Sequence, residues 1–200
     1  MQKITLVTNK GEAQYPHLRR TECFQGQDTG KYSIQVKFSK EDTDRLIERL
    51  ENEWKQAQNA GEFATKRYAR NSNPNLGYRE DKNGDIVFKF KTNATIKTKT
   101  GDVMQKTIPI YDAQCKPMEG DIGAGSIVKV SAVIAPYYVS ASNYGLSLYL
   151  TGVQCIEYKA AGDYNSADAL GFTAEEGYTA DAPTEDNTTG FGVEGSAPEF

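Results

Sequence analysis

Residues 85–99, DIVFKFKTNATIKTK, separate into two faces when they are read with a period of two. One face is apolar and carries Ile86, Phe88, Phe90, Ala94 and Ile96. The other is cationic and carries Lys89, Lys91, Lys97 and Lys99. Because side chains alternate across a strand, the pattern predicts a β-strand with one face in the core. Its lysines would repeat about every 6.7 Å, a spacing comparable to that of phosphates on an extended nucleic acid strand. Lysines also protect strand edges from aggregation, so both interpretations stay open.

Residues 31–39 repeat this division of apolar and basic faces and predict a second strand, with an apolar face of Tyr32, Ile34, Val36 and Phe38. A helix is predicted next, because Ser39 can cap it and Glu41 and Asp42 favour its N-terminus. Its apolar residues recur at helical spacing up to Gly61 and are Leu46, Ile47, Leu50, Trp54 and Ala57.

Residues 62–84 form a long connection in which basic residues alternate with Tyr68 and Tyr78. The basic residues are Lys66, Arg67, Arg70, Arg79 and Lys82. This composition fits a flap over a nucleic acid strand and fits an ordinary solvated loop nearly as well.

Further strands are predicted over residues 103–111, 126–136 and 144–158, and the change of phase at Thr151-Gly152 indicates a bulge. Residues 136–144 read as a loop whose tyrosine rings, Tyr137, Tyr138 and Tyr144, are exposed for stacking. We therefore predict a mainly-β fold, a five-stranded OB-fold barrel with one long inserted α-helix.

The net charge of −4 averages two unlike regions. Residues 160–200 hold nine acidic residues and no lysine or arginine, whereas the rest holds 23 basic and 18 acidic residues. We predict a basic domain over residues 1–159, suited to a polyanion, and a disordered acidic tail over residues 160–200 that ends in Phe200.

Several function classes lack a signal in the sequence. Cys23, Cys115 and Cys155 are far apart, so neither a disulfide framework nor a zinc site is indicated. Asp81, Asp85 and Asp102 are the nearest approach to a carboxylate cluster, and they fall in predicted turns. We expect a non-enzymatic protein without metal or cofactor, soluble and intracellular because no signal peptide or membrane span is evident.

An ordered set of motifs resembles the phage T-seven-type single-stranded DNA-binding protein family. The set comprises Phe88-Lys89-Phe90-Lys91, Met118-Glu119, residues 122–126 leading to Lys129, Pro136-Tyr137, and the acidic tail ending in phenylalanine. The resemblance implies an OB-fold that binds single-stranded DNA without sequence preference during phage replication, recombination and repair, in the cytoplasm of the infected bacterial host.

The resemblance also implies roles for individual residues. Lys3, Lys89, Lys91 and Lys129 would contact phosphates, with Lys97 and Lys99 on the same cationic strand face, and Tyr137 would stack on a base. A family tryptophan is replaced around Tyr138 or Val139, so base stacking would have moved to Tyr138 or Tyr144. The tail, with Glu194, Glu199 and Phe200, would contact the replicative DNA polymerase and the helicase-primase, occupy the empty DNA groove and support a homodimer. An RNA-binding or cold-shock-like OB module and a metal-dependent nuclease are the alternatives.

Overall fold

The structure is a computed structural model that describes residues 4–98 and 100–161. In this part of the chain, helix α1 spans Lys40–Gln58 and a short 3-10 helix spans Gly61–Thr65. The strands are β1 Ile4–Val7, β2 Gly11–His17, β3 Cys23–Phe24, β4 Gln27–Asp28, β5 Lys31–Lys37, β6 Tyr78–Glu80, β7 Ile86–Asn93, β8 Thr95–Lys97, β9 Val103–Gln105, β10 Ile110–Tyr111, β11 Ile127–Ser140 and β12 Asn143–Glu157.

Five of these strands pair in a ring. β2 pairs with β5, β5 with β7, β12 with β11 and β11 with β2, all antiparallel, and β7 meets β12 in parallel through the single pair Lys91 and Tyr149. The OB-fold is likewise built from five mainly antiparallel strands in a partly open barrel. The predicted mainly-β class with one long helix is therefore confirmed.

Helix α1 begins and packs as its sequence pattern predicts. The Ser39 hydroxyl accepts a hydrogen bond from the Asp42 backbone N–H at 3.2 Å, which satisfies one of the free donors of the first turn. Leu46, Leu50 and Trp54 are buried in the same cluster as the inner residues of the sheet. Within residues 4–98 and 100–161, no helix has both the length and the hydropathy that crossing a membrane requires.

The cationic stretch is shorter than the sequence pattern predicts. Strand β7 ends at Asn93, and Ala94 is buried at a break after which β8 pairs with β9 in a separate two-stranded sheet. The expectation of one strand over residues 85–99 is wrong, and Ile96 is 52% exposed instead of buried. The alternation of apolar and basic residues continues past Ala94 because β8 is extended as well. The sequence pattern therefore does not reveal the break.

Two other predicted boundaries are wrong. Residues 136–144 are not a loop, because β11 continues to Ser140 and only Ala141 and Ser142 connect it to β12. Residues 103–111 form two short strands, β9 and β10, instead of one. The bulge is confirmed, since Ser131 pairs with Gly152 and Ala132 with Leu150, which leaves Thr151 without a partner.

Gly145 permits a close approach between β12 and the segment after the 3-10 helix. Its φ is +145°, and a Cβ built there would lie 1.9 Å from the carbonyl oxygen of Asn75. The same approach is held by two backbone hydrogen bonds, from Asn75 to Tyr144 at 2.9 Å and from Leu146 to Asn75 at 2.8 Å. Glycine is therefore required at this position.

We predict that Gly145→Ala lowers the free energy of unfolding by about 1–3 kcal/mol, because the methyl group forces the Asn75 backbone away. Urea denaturation followed by circular dichroism measures the change. Gly120→Ala is the matched control, since a Cβ there meets no atom within 4 Å. Equal stability of the two variants would contradict the prediction.

Candidate nucleic-acid interface

A groove of about 460 Å³ crosses the outer surface between β7 and the β11–β12 hairpin. We call it the lysine–tyrosine groove. Strand β7 and the segment before it form one side, and residues from the hairpin form the other. The lining residues are Asn75, Gly77, Tyr78, Arg79, Lys89, Lys91, Tyr137, Val139, Asn143, Leu146, Ser147 and Leu148. Three residues predicted from the sequence, Lys89, Lys91 and Tyr137, are therefore brought together.

Strand β7 supplies the basic wall of the groove. Phe88 and Phe90 are fully buried, as predicted, and the lysines that alternate with them point to the opposite face. Burial of these two rings removes a large apolar area from water and fixes the orientation of the strand. The positions of Lys89 and Lys91 thus follow from the packing of their neighbours.

Lys89 is paired within the protein. Its ammonium lies 2.5 Å from Oε1 of Glu22, and both side chains are partly buried. Burial alone would raise the pKa of Glu22, but hydrogen bonds from Lys89 and Ser33 outweigh it and leave this pKa below its usual value. Glu22 is therefore ionised at neutral pH and neutralises part of the charge of the groove.

Lys91 has no such compensation. In residues 4–98 and 100–161, no carboxylate oxygen lies within 4.0 Å of its ammonium. Burial, and then repulsion from Lys31 and Lys89, lower the pKa of Lys91, with only Glu22 opposing. The repulsion from Lys31 and Lys89 reflects a positive potential around Lys91, which an anion placed in the groove would relieve.

Tyr137 is the aromatic residue on the hairpin side of the groove, and Tyr78 lines the other side. Tyr137 is half-buried, and its partner across the β11–β12 pairing is Gly145, so no side chain from that position covers the ring. Burial raises the pKa of the Tyr137 hydroxyl, with the Asn75 side chain opposing. The phenol stays neutral at physiological pH and offers one ring for stacking beside two cations.

The other two predicted stacking residues lie elsewhere. The expectation of an exposed Tyr144 is wrong, because it is 4% exposed and stacks on Trp54 with ring centroids 5.5 Å apart. Tyr138 is half-buried and packs edge-on against Tyr68 at 5.8 Å. Neighbouring residues of a strand point to opposite faces, so Tyr138 and Tyr144 face the core cluster while Tyr137 faces the groove.

The structure does not bring the remaining predicted cations into the groove. Lys129 lies eight residues before Tyr137 on β11, about 26 Å along the strand, and lines a separate hollow with Val7, Tyr111 and Cys115. Lys97 is exposed on β8, in the two-stranded sheet that β8 forms with β9. Lys3, Lys99 and the tail residues Glu194, Glu199 and Phe200 lie outside the described residues, as does the predicted disorder of the tail.

Two residues of this surface were absent from the predicted site. Arg79 lines the groove and donates a hydrogen bond to Oε1 of Gln35 at 3.2 Å. Tyr149 is paired with Lys91 and is 45% exposed. The sequence held a signal for Tyr149, because it alternates with Leu146, Leu148 and Leu150, which are buried.

The carboxylates considered for a metal site have structural partners. Asp81 accepts hydrogen bonds from the backbone N–H groups of Asn83 and Asp85, and Asp85 pairs with Lys37. Asp102 accepts from the Thr100 hydroxyl at 2.7 Å. Across the described ranges 4–98 and 100–161, no group of three His, Cys, Asp or Glu side chains could hold a metal ion.

The fold and groove define a protein of the OB class with a basic, aromatic outer groove. The family model described as "Single-stranded DNA-binding protein, Bacteriophage T7" matches residues 12–158, and the chain belongs to this family. No curated protein matches the sequence.

Solved structures of phage proteins are similar in fold. The crystal structure of gp2.5, a single-stranded DNA-binding protein encoded by bacteriophage T7, superposes with a TM-score of 0.63 at 20% identity, covering 90% of this chain and 100% of that chain. The single-stranded DNA-binding protein of bacteriophage Enc34 in complex with ssDNA has a TM-score of 0.54 at 13% identity, covering 78% and 88%. The same Enc34 protein without its C-terminal part has a TM-score of 0.52 at 15% identity, covering 79% and 88%.

The different environments of the tyrosines predict different effects on stability. Tyr144→Ala should lower the free energy of unfolding by about 3 kcal/mol, since it leaves a cavity beside Trp54. Tyr137→Ala, at a half-buried groove position, should cost less than about 1.5 kcal/mol. Urea denaturation of both variants measures the difference, and a larger loss for Tyr137→Ala would contradict the assignment of the two rings.

Proposed function

We propose that the protein binds single-stranded DNA without sequence preference in the lysine–tyrosine groove. The single observation that carries the proposal is the position of Lys91, a partly buried cation without a carboxylate partner in the described residues, in the same groove as Tyr137. Membership of the single-stranded DNA-binding protein family supports the choice of ligand.

Phosphates supply the affinity in this proposal. Lys91 binds one phosphate directly, and Lys89 binds a second when the phosphate replaces Glu22 as its partner. The lysines are two residues apart on one strand, so their spacing of about 6.7 Å suits consecutive phosphates of an extended strand. Each neutralised phosphate contributes about 0.7 to the slope of log affinity against log salt.

Stacking restricts binding to unpaired bases. A base that stacks on Tyr137 must expose its face, which bases inside a duplex do not. Base–aromatic stacking contributes about 1–3 kcal/mol per base and tolerates any sequence because every base has a π face.

The biological role in this proposal is DNA replication, recombination and repair of a phage in the cytoplasm of its bacterial host. The acidic tail recruits the replicative polymerase and the helicase-primase, with Glu194, Glu199 and Phe200 at the contact, and supports a homodimer. Charge supports a separate role for the tail, since residues 160–200 carry nine acidic residues and no lysine or arginine beside a basic domain.

The same charge makes the tail a competitor of DNA. A segment with nine carboxylates is a polyanion, so it would occupy the groove when DNA is absent. Competition of this kind lowers the affinity for short oligonucleotides and is weakened by salt.

We predict that Lys89→Ala with Lys91→Ala reduces the log–log salt slope for an oligothymidylate by about 1.4, because two phosphate contacts are lost. A fluorescence titration over a salt series measures the slope. Lys40→Ala with Lys55→Ala is the control, since both residues are exposed on α1 and paired with helix carboxylates. An unchanged slope would remove the β7 lysines from the interface.

Matched DNA and RNA oligonucleotides in the same titration distinguish the proposal from an RNA-binding module. We expect the DNA strand to bind at least as tightly as the RNA strand. A clear preference for RNA would favour the alternative, because the 2′-hydroxyl is what such a module reads.

Deletion of residues 163–200 should raise the affinity for a short oligonucleotide at low salt, and the gain should shrink as salt is added, because screening weakens competition by the tail. The deletion keeps residues 159–161, which contact Gly123 in the domain. Level or lower affinity at every salt concentration would exclude competition.

A further inference from the structure

Three cations outside the groove lie in one short segment, residues 66–70. Lys66, Arg67 and Arg70 are all exposed, and in the described part of the chain no carboxylate lies within 4.0 Å of any of them. A cluster of like charges is repulsive unless an anion is shared. The segment therefore carries a local positive charge that no described ion pair balances.

The segment is held in place by aromatic packing. The ring of Tyr68, at its centre, packs edge-on against Tyr144 at 4.7 Å and against Trp54 at 5.9 Å. The Tyr68 hydroxyl donates to the Phe63 carbonyl at 2.8 Å. A purely solvated loop needs no such contacts, so the cations are presented from a fixed backbone.

The segment is also joined to the β11–β12 hairpin. The Ala69 N–H donates to the carbonyl of Ala141 at 2.9 Å, in the two-residue turn. The Tyr138 hydroxyl donates to the carbonyl of Arg67 at 2.8 Å, and the Lys66 ammonium lies 5.4 Å from the centre of the Tyr138 ring. The basic segment thus lies beside the tip of the hairpin.

The lysine–tyrosine groove reaches the same tip from the other face. Val139 and Asn143, which lie on either side of residues 140–142, line the groove. Tyr137 and Tyr138 point to opposite faces of β11, so the groove and the basic segment are on opposite sides of the hairpin. The tip between them carries only the small side chains of Ser140, Ala141 and Ser142, which leave room for a strand to pass.

We propose that residues 66–70 form a second phosphate-binding site, at which a DNA strand leaving Tyr137 passes around the hairpin tip and meets Lys66, Arg67 and Arg70. The ligand is the phosphodiester backbone of a single strand, so the inference rests on the proposed function. Tyr137 and Ala141 are four residues apart, about 13 Å, so the path requires about two further nucleotides. Short strands fill the groove alone, and longer ones reach both sites.

The test compares Lys66→Gln/Arg67→Gln/Arg70→Gln with the full-length protein on oligothymidylates of about 4 and about 16 nucleotides, the limits of site size for an OB-fold. On the longer strand we expect the log–log salt slope to fall by about 2 units, because three phosphate contacts are lost. On the shorter strand we expect the slope to be unchanged. The control is Lys40→Gln/Arg45→Gln/Lys55→Gln, which removes the same charge from exposed positions on α1 and should change neither slope.

An unchanged slope on the longer strand would overturn the inference while leaving the groove intact. Equal losses on both lengths, or in the control, would also overturn it, because they would show a general effect of net charge. Arg70→Gln alone, which retains the Lys66 and Arg67 contacts with Tyr138, should lower the slope by about 0.7 on the longer strand only. Failure of the unmodified protein to bind either strand would instead reject the proposed function itself.

Discussion

Phe88 and Phe90 are fully buried, and Lys89 and Lys91, which alternate with them on the same strand, line the outer groove. This alternation fixes the pairing register of β7. A slip of one residue in the pairing of β7 would place both lysines in the core and both rings in water, at a large cost in free energy. The register against β5, which aligns Lys89 with Gln35 and Lys91 with Ser33, is fixed for the same reason. Core packing thus determines where the cations of the interface lie.

Charge in the groove is only partly balanced within the protein. Glu22 neutralises Lys89, whereas Lys91 faces Lys31 and Lys89 with only Glu22 to oppose them. Such an arrangement has two consequences for a polyanionic ligand. The positive charge around Lys91 attracts the ligand before contact. Lys89 is paired with Glu22, so an anion binds Lys89 only by displacing Glu22. The burial of Phe88 and Phe90 fixes the backbone that carries both lysines, so the strand itself does not have to be ordered on binding.

Much of the structure can be predicted from local sequence patterns. The remainder depends on contacts between residues that are distant in sequence. The periods of β7 and α1, the Ser39 cap and the bulge at Thr151-Gly152 are visible in the sequence because each depends on neighbours a few residues away. The break at Ala94 leaves no mark in the sequence pattern, because the residues beyond it are also extended. The burial of Tyr144 does not follow from its neighbours in sequence, because its stacking partner Trp54 lies on the distant helix. The Glu22–Lys89 ion pair joins residues that are 67 positions apart, so local sequence patterns do not predict it.

Photo-crosslinking tests the central claim most directly, since it maps the bases onto the protein surface. A single-stranded oligonucleotide substituted with iodouracil would be irradiated with the full-length protein, and the modified residues identified by mass spectrometry. We predict a crosslink at Tyr137, with Tyr149 as a second exposed ring beside Lys91, and none at the buried Tyr144. Crosslinks confined to Tyr111, in the hollow around Lys129, with Tyr137 unmodified, would contradict it.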